Sequence, residues 1–489
     1  MKSKNFISFL ATAALICGSC SSDDTPVKSG GTPLGGGGTT TPTTYTDPEL
    51  IQMVQSDVLK YFWDYAETNS KLARERYHTD NPGHDANTIS TGGSGFGLMT
   101  ILVGIKNGTI PRSEAVSRLT TALNFLQNAN RFHGAWPHWI NGANGNVIPF
   151  SPKDNGGDLV ETAFLAQGLI CVREYFKTST DTTEIALSTK ADELWKGVEW
   201  NWYTKGENVL YWHWSSNYNF EMGHQLRGYD ETMITYILAA ASPNYSIEKS
   251  VYTQGWARNG AIKSSSSLYG IPLEVTHNAP AGTVGPMFFS HYSFIALDPR
   301  GLTDDFVNYG TATTNHAKIM HQYSVNNPKG WQGYSAKNWG LTASYSRNPT
   351  NGNDDYHAHQ PNGDNDRGII SPTAALSDMP YTPTESMSFL RFLYNENKAK
   401  YVGVAGPYDA FSVHHNWVTP RYLAIDQGPI SPMIENQKTQ FLWNLFMNAP
   451  DVKAGLIKLG FHSTQKKKKK ISFRATIYFV KAFNSIIVL

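Results

Sequence analysis

The chain has 489 residues, of which 40% are hydrophobic, 12% aromatic and 17% charged, and its formal net charge is +1 at neutral pH. This near-neutral balance argues against nucleic-acid binding, which requires a basic face. The length allows either two or three domains or one large helical or α/β core. Thirteen tryptophans and 25 tyrosines favour a large aromatic cleft over a merely larger core.

The first twenty residues are typical of a secretory signal peptide. Two lysines precede the apolar run 6–16, and Gly18-Ser19-Cys20 follows it, as in a bacterial lipoprotein cleavage site. We therefore expect a signal peptide over 1–20 and a lipid on Cys20; the alternative is an ordinary cleaved signal peptide. The acidic residues after Cys20 resemble the surface-export tags of Bacteroidetes lipoproteins. They predict an outer-membrane lipoprotein, at the cell surface or in the periplasm, that contacts the membrane only through its lipid.

Residues 21–46 are rich in Gly, Thr and Pro, which predicts a flexible linker before a folded domain over 47–465. Asp47, Pro48 and Glu49 suit the N-cap and first two positions of a helix. Apolar residues then recur every three to four positions, as amphipathic helices require. The predicted helical segments are 47–65, 116–126, 165–176, 183–200, 229–241, 246–259, 304–325, 387–394 and 433–448. Few runs alternate as strands do, so the predicted class is all-α with long loops.

Two further segments have unusual compositions. The glycine-rich run 92–97 has no preceding strand, so we expect close backbone packing or a substrate loop there, not a nucleotide site. Residues 466–489 begin with a lysine run and contain neither an acidic residue nor a helical period. We interpret this tail as non-native, the product of a reading-frame slip; the alternative is a basic amphipathic anchor.

Three carboxylates cluster before one apolar helix. Asp158 and Glu161 are three residues apart, which places them on one face if the helix starts there. The same spacing is that of a capping box, and this alternative stays open. The box explains neither Asp154 nor the aromatic strip 132–139 just upstream. Carboxylates beside exposed rings are typical of carbohydrate chemistry, because rings stack on sugars and carboxylates bond hydroxyls or move protons.

Other acidic residues extend this set. Asp230 and Glu231 are adjacent at the start of an apolar segment, where one is expected to cap the helix and the other to face the cleft. Asp409 and Asp426 lie in predicted loops crowded with aromatic residues. Each alone is better explained as a cap or a structural hydrogen-bonding group, but together they can supply a general acid and a base. No phosphate-binding loop and no Cys/His zinc spacing occurs, so we expect no cofactor and no metal.

Seven motifs follow one another along residues 47–461. They are FWDYA (62–66), LARER (72–76), TGGSGFG (91–97), DLVETA (158–163), FFSHYSF (288–294), NWGLTAS (338–344) and DQGP (426–429). In this order they resemble the glucoamylase-like proteins of Bacteroidetes, a group similar to glycoside hydrolase family 144, the β-1,2-glucanases.

The resemblance implies an (α/α)6 barrel of paired helices and an inverting hydrolase, a monomer, acting on a polysaccharide or oligosaccharide, most specifically β-1,2-glucan. It marks Glu231 as the general acid and Asp154, Asp158 and Glu161 as functional acids, with Asp409 or Asp426 as candidates for the base. The residues expected to bind substrate are Trp136, His138, Trp139, Trp212, Trp214, His291, Tyr292, Trp339 and Trp417.

Two rival functions remain open at this point. An α-glucan hydrolase of the glucoamylase type would use the same residue classes, and a non-catalytic glycan-binding surface lipoprotein would use the carboxylates only to bond hydroxyls. The sequence leaves the glucan length, the choice between endo and exo action and the identity of the base undecided.

Overall fold

The computed structural model describes residues 44–463. The predicted signal peptide with Cys20, nearly all of the predicted linker 21–46 and the tail 466–489 lie outside the described residues. Within 44–463 the α-helices are α1 Asp47–Trp63, α2 Thr91–Lys106, α3 Arg112–Asn128, α4 Leu159–Phe176, α5 Thr182–Lys196, α6 Met233–Ala241, α7 Lys249–Gln254, α8 Tyr309–Asn326, α9 Pro372–Leu376, α10 Pro383–Arg391, α11 Lys398–Tyr401, α12 Ala424–Thr439, α13 Phe441–Asn448 and α14 Pro450–Leu459.

Short antiparallel strands join the loops between these helices. In chain order they are β1 Arg76–His78, β2 Thr88–Ser90, β3 Trp139–Asn141, β4 Val147–Ile148, β5 Gly157–Asp158, β6 His213–Trp214, β7 Ser267–Leu268, β8 Ile271–Pro272, β9 Leu302–Thr303, β10 Ala343–Arg347, β11 Asp354–Ala358, β12 Val402–Gly403, β13 Gly406–Pro407, β14 Phe411–Ser412, β15 Trp417–Val418, β16 Arg421–Leu423 and β17 His462–Ser463. The described residues form eight small sheets. The strict all-α prediction missed them, because strands of two to five residues are too short to show a clear alternation.

The long helices divide into two kinds by burial. Helices α2, α4, α6, α9 and α12 are buried on nearly every side, as expected for helices that are apolar all round. Helices α1, α3 and α5 bury only one stripe. Among the buried helices α12 packs on α2, α2 on α4 and α4 on α6, while α9 packs on α12. The buried helices therefore form an inner layer, and the amphipathic helices cover it.

Helices α2 and α12 lie parallel, with both starts at one end of this inner layer. At their last turns, the Lys106 ammonium of α2 lies 2.7 Å from the Glu435 carboxylate of α12. Burial opposes ionisation of Glu435, but Lys106 and the other donors around it outweigh that effect and lower its pKa to about 2. Glu435 is therefore a structural anion at the far end of α12 from Asp426.

The glycine run 92–97 is the first half of α2, and it serves close backbone packing, one of the two roles predicted for it. A Cβ atom at Gly95 would lie 2.2 Å from the carbonyl oxygen of Phe164, and one at Gly168 would lie 2.4 Å from the Gly95 carbonyl oxygen. No side chain fits between α2 and α4 at this crossing. The helix itself was not predicted, because glycine is a poor helix former. The strand β2 lies directly before it, so the expectation of no preceding strand was wrong.

Several predicted helix boundaries were wrong. The cap of α1 is Thr46, which forms a capping box with Glu49, one residue earlier than predicted. Helix α6 begins at Met233, after the Asp230–Glu231 pair, although a start near 229 was expected. Asp426 is in the first turn of α12, not in a loop, and this helix continues through Pro429 and Pro432. Prolines usually end a helix, so the sequence pattern placed its start nine residues too late.

No helix among residues 44–463 is both long and apolar enough to cross a membrane.

Candidate active site

The predicted carboxylates meet where four inner helices begin. Glu161, in the first turn of α4, accepts a hydrogen bond from the backbone N–H of Gly92 in the first turn of α2. Glu231 precedes α6, and Ser293 donates to its carbonyl oxygen and accepts from the N–H of Ile234. Next to Ser293, the Tyr292 hydroxyl donates to Asp426 in α12 over 3.3 Å. One cleft at the N-terminal ends of α2, α4, α6 and α12 therefore holds both groups of acids.

Asp158 is the best-anchored carboxylate of the cleft. Its Oδ1 accepts from the backbone N–H groups of Val160 and Glu161, which makes it the N-cap of α4 as predicted. The Trp212 indole N–H also donates to Oδ1, at 2.9 Å, and His138 Nδ1 lies 2.9 Å from Oδ2. These donors outweigh burial and hold the pKa of Asp158 below its usual range. Asp158 is therefore an ionised group fixed in one orientation.

The capping box predicted for Asp158 and Glu161 is only half formed. The Glu161 carboxylate does not return to the Asp158 backbone but crosses to Gly92 at 2.7 Å. Burial, with a further contribution from Asp158, raises the pKa of Glu161 to about 7 although His138 opposes the shift. Glu161 therefore faces the cleft with a proton that can leave near neutral pH.

Asp154 adds a third carboxyl group beside Asp158 and Glu161. The β5–β6 pairing, Gly157 with Trp214 and Asp158 with His213, brings the loop of Asp154 against His213. His213 Nε2 lies 3.5 Å from Asp154 Oδ2, while Asp154 Oδ1 is buried without a hydrogen-bond partner. Burial and then the charge of Asp158 raise the pKa of Asp154 to about 7. A buried acceptor without a donor is what a sugar hydroxyl can satisfy.

Protonation within this cluster is divided between its two histidines. Burial alone would lower the pKa of His138, but the charges of Glu161 and Asp158 outweigh it and raise that pKa to about 9. Burial lowers the pKa of His213 to about 4. At neutral pH His138 is a cation held by Asp158, and His213 is a neutral ring.

Asp230 and Glu231 have different surroundings, but neither caps α6, whose N-cap is Thr232, so the predicted cap role was wrong. Asp230 accepts from the N–H and hydroxyl of Thr232 through Oδ1 and from the Asn278 amide through Oδ2. Glu231 is half-buried, and no side chain among residues 44–463 donates to its carboxylate. Burial, followed by the charge of Asp230, raises the pKa of Glu231 well above its ordinary value; Glu161 and Asp158 add to the shift. Glu231 therefore stays protonated and faces the other carboxylates across the cleft.

Asp409 and Asp426 form a buried carboxyl pair at the other side. Asp409 Oδ2 accepts from the backbone N–H of Tyr345 at 2.7 Å, whereas Asp409 Oδ1 and Asp426 Oδ2 are buried without a donor. Burial raises the pKa of Asp409 to about 7, and burial and the charge of Asp409 raise that of Asp426 much further. A proton shared between the two carboxyls satisfies both orphaned oxygens.

Half-exposed rings line the approach to Asp158. His138 and Trp139 stand with Phe150 in one cluster, with ring centroids 4.2 Å apart for His138 and Phe150 and 4.9 Å for Trp139 and Phe150. Trp212 and Trp214 flank His213 on β6 and its preceding residue. These rings offer faces on which sugars can stack, and their role in substrate binding stays a prediction.

Other predicted sugar-binding rings lie elsewhere. Trp136 and Trp339 are both 0% exposed, and the Trp136 indole donates to the carbonyl of Leu126, so both were wrongly predicted to contact substrate. His291 is also buried, at 2.7 Å from Asp378, so its prediction as a sugar ligand was wrong as well. Tyr292 is also buried, and its hydroxyl donates to Asp426. Trp417 is half-exposed, and its indole donates to Asp354 at 3.1 Å.

Sequence reasoning missed three residues of this site. His213 follows Trp212 directly and carries no motif that would single it out. Glu75, next to Arg76 in the LARER motif, is close enough to both sets of acids for its charge to act on Glu161 and on Asp409. Phe150 is 50% exposed beside His138. Its position directly before the Ser151–Asp158 stretch was the only available signal.

One group of residues has spacing that a metal ion can use. One ligand atom from each of His138, Asp154 and Asp158 lies within 4.8 Å of the others. His138 is already paired with Asp158, and its pKa of about 9 makes it a cation, which repels a metal ion. The arrangement therefore favours an ion pair over a metal site.

A helix-rich fold whose cleft combines buried carboxyl groups, paired histidines and half-exposed tryptophans defines a carbohydrate-active protein. A family model named Glycoamylase, with the description "Putative glucoamylase", matches residues 223–450. An endo-β-1,2-glucanase from Chitinophaga pinensis, solved with sophorotriose and glucose, is 50% identical with a TM-score of 0.83, covering 86% of this chain and 99% of that chain. A β-1,2-glucanase from Parabacteroides distasonis is 41% identical with a TM-score of 0.79, covering 85% of this chain and 60% of that chain.

A curated relative agrees with these structures. The exo-β-1,2-glucooligosaccharide sophorohydrolase (non-reducing end) of Parabacteroides distasonis is 42% identical over 444 residues, which are 86% of this chain and 59% of that protein. This chain therefore spans about three fifths of the sophorohydrolase. The chain belongs to the glucoamylase-like family that contains these bacterial β-1,2-glucanases, glycoside hydrolase family 144.

Proposed function

We propose that this protein hydrolyses β-1,2-glucan with inversion at the anomeric carbon, and that Glu231 is the general acid. The observation that carries the proposal is the state of Glu231, a half-buried carboxyl to which no side chain among the described residues donates and whose pKa burial raises well above the usual value. A general acid needs such a proton at neutral pH. The β-1,2-glucanases named above, at 50% and 41% identity, supply the substrate class.

The acid step uses the environment of Glu231 directly. As the glycosidic bond breaks, the Glu231 carboxyl protonates the departing oxygen and becomes an anion. The charges of Asp158 and Glu161 disfavour that anion, so they help to keep the proton on Glu231 until the departing oxygen accepts it. The cationic His138 is paired with Asp158, so it does not promote the ionisation of Glu231 before the reaction.

The base is drawn from the carboxyl pair. Inversion needs a carboxylate that activates water on the opposite face of the sugar, with about 6.5–9.5 Å between the two carboxyl groups. Asp409 ionises more readily than Asp426, and a proton on Asp426 stabilises the Asp409 anion. This order supports Asp409 as the base and Asp426 as the residue that carries the shared proton.

The remaining groups hold the sugar. Asp154 and Glu161 titrate near neutral pH and can each donate to or accept from a hydroxyl. Trp139, Trp212 and Trp214 provide half-exposed faces. Such faces can stack on the apolar faces of sugar rings.

The experiment is an assay of sugar release from a matched panel of β-1,2-glucan and α-glucans, with the anomer of the first product followed by NMR or polarimetry. We expect release from β-1,2-glucan with an initial α-anomer, and product lengths that separate endo from exo action. Release from α-glucan only would favour the glucoamylase-type reaction. Binding of glucan without release would favour the non-catalytic glycan-binding protein.

We propose in addition that the inner helices close into an (α/α)6 barrel. The parallel packing of α2 and α12 and the contact of α9 with α12 support a ring. The 3₁₀ turn Tyr292–Phe294, which packs against α6, would provide the sixth inner element. Radial comparison of the helix axes in a crystal structure would test the closure.

We propose further that the protein is a monomeric lipoprotein of the outer membrane, anchored through Cys20. The support is the sequence pattern of 1–20, which lies outside the described residues. The Cys20→Ala variant should leave the membrane fraction, because anchoring of this kind requires the lipid chains. Membrane association that persists in this variant would exclude the lipid anchor, and sedimentation of the soluble variant measures its oligomeric state.

A further inference from the structure

The hairpin formed by β10 and β11 carries an aromatic residue that nothing above uses. Its register opposes Tyr345 to Tyr356 and Arg347 to Asp354. Opposed residues of an antiparallel pair share one face, and so do alternate residues along a strand. Tyr345, Asp354 and Tyr356 therefore project from the same side of the hairpin.

Two of these three residues fix that side against the cleft. The backbone N–H of Tyr345 donates to Asp409, and its hydroxyl lies 2.7 Å from His78 Nε2. Asp354 forms an ion pair with Arg421 at 2.7 Å, in the strand β16 that leads directly into α12 and Asp426. The contacts of Tyr345 and Asp354 therefore hold the face that carries Tyr356 next to the Asp409–Asp426 pair.

Tyr356 itself is left open. Its side chain is 43% exposed, and its hydroxyl makes no hydrogen bond with any residue in 44–463. Burial at its hydroxyl, followed by the charges of Asp426 and Asp409, raises the pKa of Tyr356 well above the ordinary value. The hydroxyls of Tyr292 and Tyr356 also influence each other. An exposed ring next to the unpaired oxygens of Asp409 and Asp426 is typical of a surface that contacts a ligand.

We propose that Tyr356 is a substrate-binding residue whose exposed ring stacks on one glucose unit and holds it over the Asp409–Asp426 pair. The proposal rests on the function proposed above and adds a sugar position on the base side, distant from the tryptophans around Asp158. The ring supplies the stacking face, and the free hydroxyl is available to a sugar hydroxyl. A glucan chain would thus be bound both by the tryptophans around Asp158 and by Tyr356 beside the Asp409–Asp426 pair.

The test compares Tyr356→Ala, Tyr356→Phe and a matched control, Tyr269→Ala. Tyr269 is also 43% exposed, but it lies in the turn between β7 and β8, which packs against α8. Tyr356→Ala should raise KM for β-1,2-glucooligosaccharides about 3- to 10-fold, which corresponds to a loss of about 0.7–1.4 kcal/mol. Tyr356→Phe keeps the ring and should stay within about 2-fold, and Tyr269→Ala should match the wild type. Tyr356→Leu, which keeps an apolar side chain without a ring, should behave as Tyr356→Ala.

Direct binding separates this inference from the proposed function. Calorimetry with a β-1,2-glucooligosaccharide in the Glu231→Gln background should show the same 3- to 10-fold rise in Kd on changing Tyr356 to Ala or Leu. If the wild type binds but releases no sugar, the proposed function fails while these Kd values still decide the role of Tyr356. Values of KM and Kd within 2-fold of the wild type in both Tyr356→Ala and Tyr356→Leu would overturn the inference, and so would an equal loss in Tyr269→Ala.

Discussion

Glutamine at position 231 gives the sharpest test of the catalytic assignment. Glu231 is held protonated by burial and by the neighbouring charge of Asp230, so its replacement by the neutral, nearly isosteric glutamine changes neither the charge nor the shape of the cleft. The transferable proton is the only thing removed. General acid catalysis typically contributes 10²- to 10⁴-fold, so kcat on β-1,2-glucan should fall by at least about a hundredfold, roughly 2.7 kcal/mol of barrier.

The same substitution should raise the stability of the fold near neutral pH. A carboxyl whose pKa is raised in the folded state contributes nothing to the pH dependence below its unfolded value, 4.5. Above that pH the unfolded chain gains by ionising while the folded chain does not, so stability declines as pH rises. Glu231→Gln removes this decline. Its melting temperature should therefore equal that of the wild type near pH 4 and exceed it near pH 7.

Three measurements together exclude a merely structural effect. Kinetics on polymeric glucan give kcat, calorimetry with an oligosaccharide shows that Kd is retained, and thermal unfolding at pH 4 and pH 7 gives the stability change. Asp230→Asn is the matched control, since Asp230 is engaged by Thr232 and Asn278; its kcat should fall much less. Near-wild-type turnover in Glu231→Gln would refute the assignment and shift the acid role to Glu161 or Asp154.

Three further predictions use other parts of the structure. Gly95→Ala, whose Cβ would meet the Phe164 carbonyl oxygen at 2.2 Å, should lower the free energy of unfolding by about 1–3 kcal/mol in urea; Gly83→Ala, with nothing within 4 Å, is the control and should change it by less than about 0.5 kcal/mol. With the pKa of Asp409 at about 7, kcat/KM should fall as pH drops below 7, and Asp409→Asn should abolish this limb together with most of the activity. The pKa of His138 is raised to about 9 in the folded chain, against 6.5 unfolded. Its contribution to the stability of the fold is therefore complete below pH 6.5 and lost as pH rises through 9, and His138→Gln should remove that part of the pH dependence of the melting temperature.

Local patterns in the sequence predicted what depends on neighbours three or four residues away. The apolar stripes of α1 and α3 and the N-cap role of Asp158 are of this kind, and the structure has each of them. Ordered motifs also indicated the family, since seven short matches in sequence order carry more information than any periodicity. The glycine run was recognised as a site of close packing for the same local reason, the absence of side chains.

The tertiary structure alone decided which side chains face the cleft. Trp136 and Trp139 stand in one short strip, yet the first is 0% exposed and the second half-exposed, because the turn into β3 points them to different sides. Glu161 leaves its predicted cap for a backbone group 69 residues earlier. Tyr356 reaches the acid pair only through the register of its hairpin and an ion pair of that hairpin with β16. The sequence determined the amphipathic helices and the kind of chemistry, since both depend on residue type and short spacing. Contacts between distant segments set burial, charge and pKa, and these decided what each acid can do.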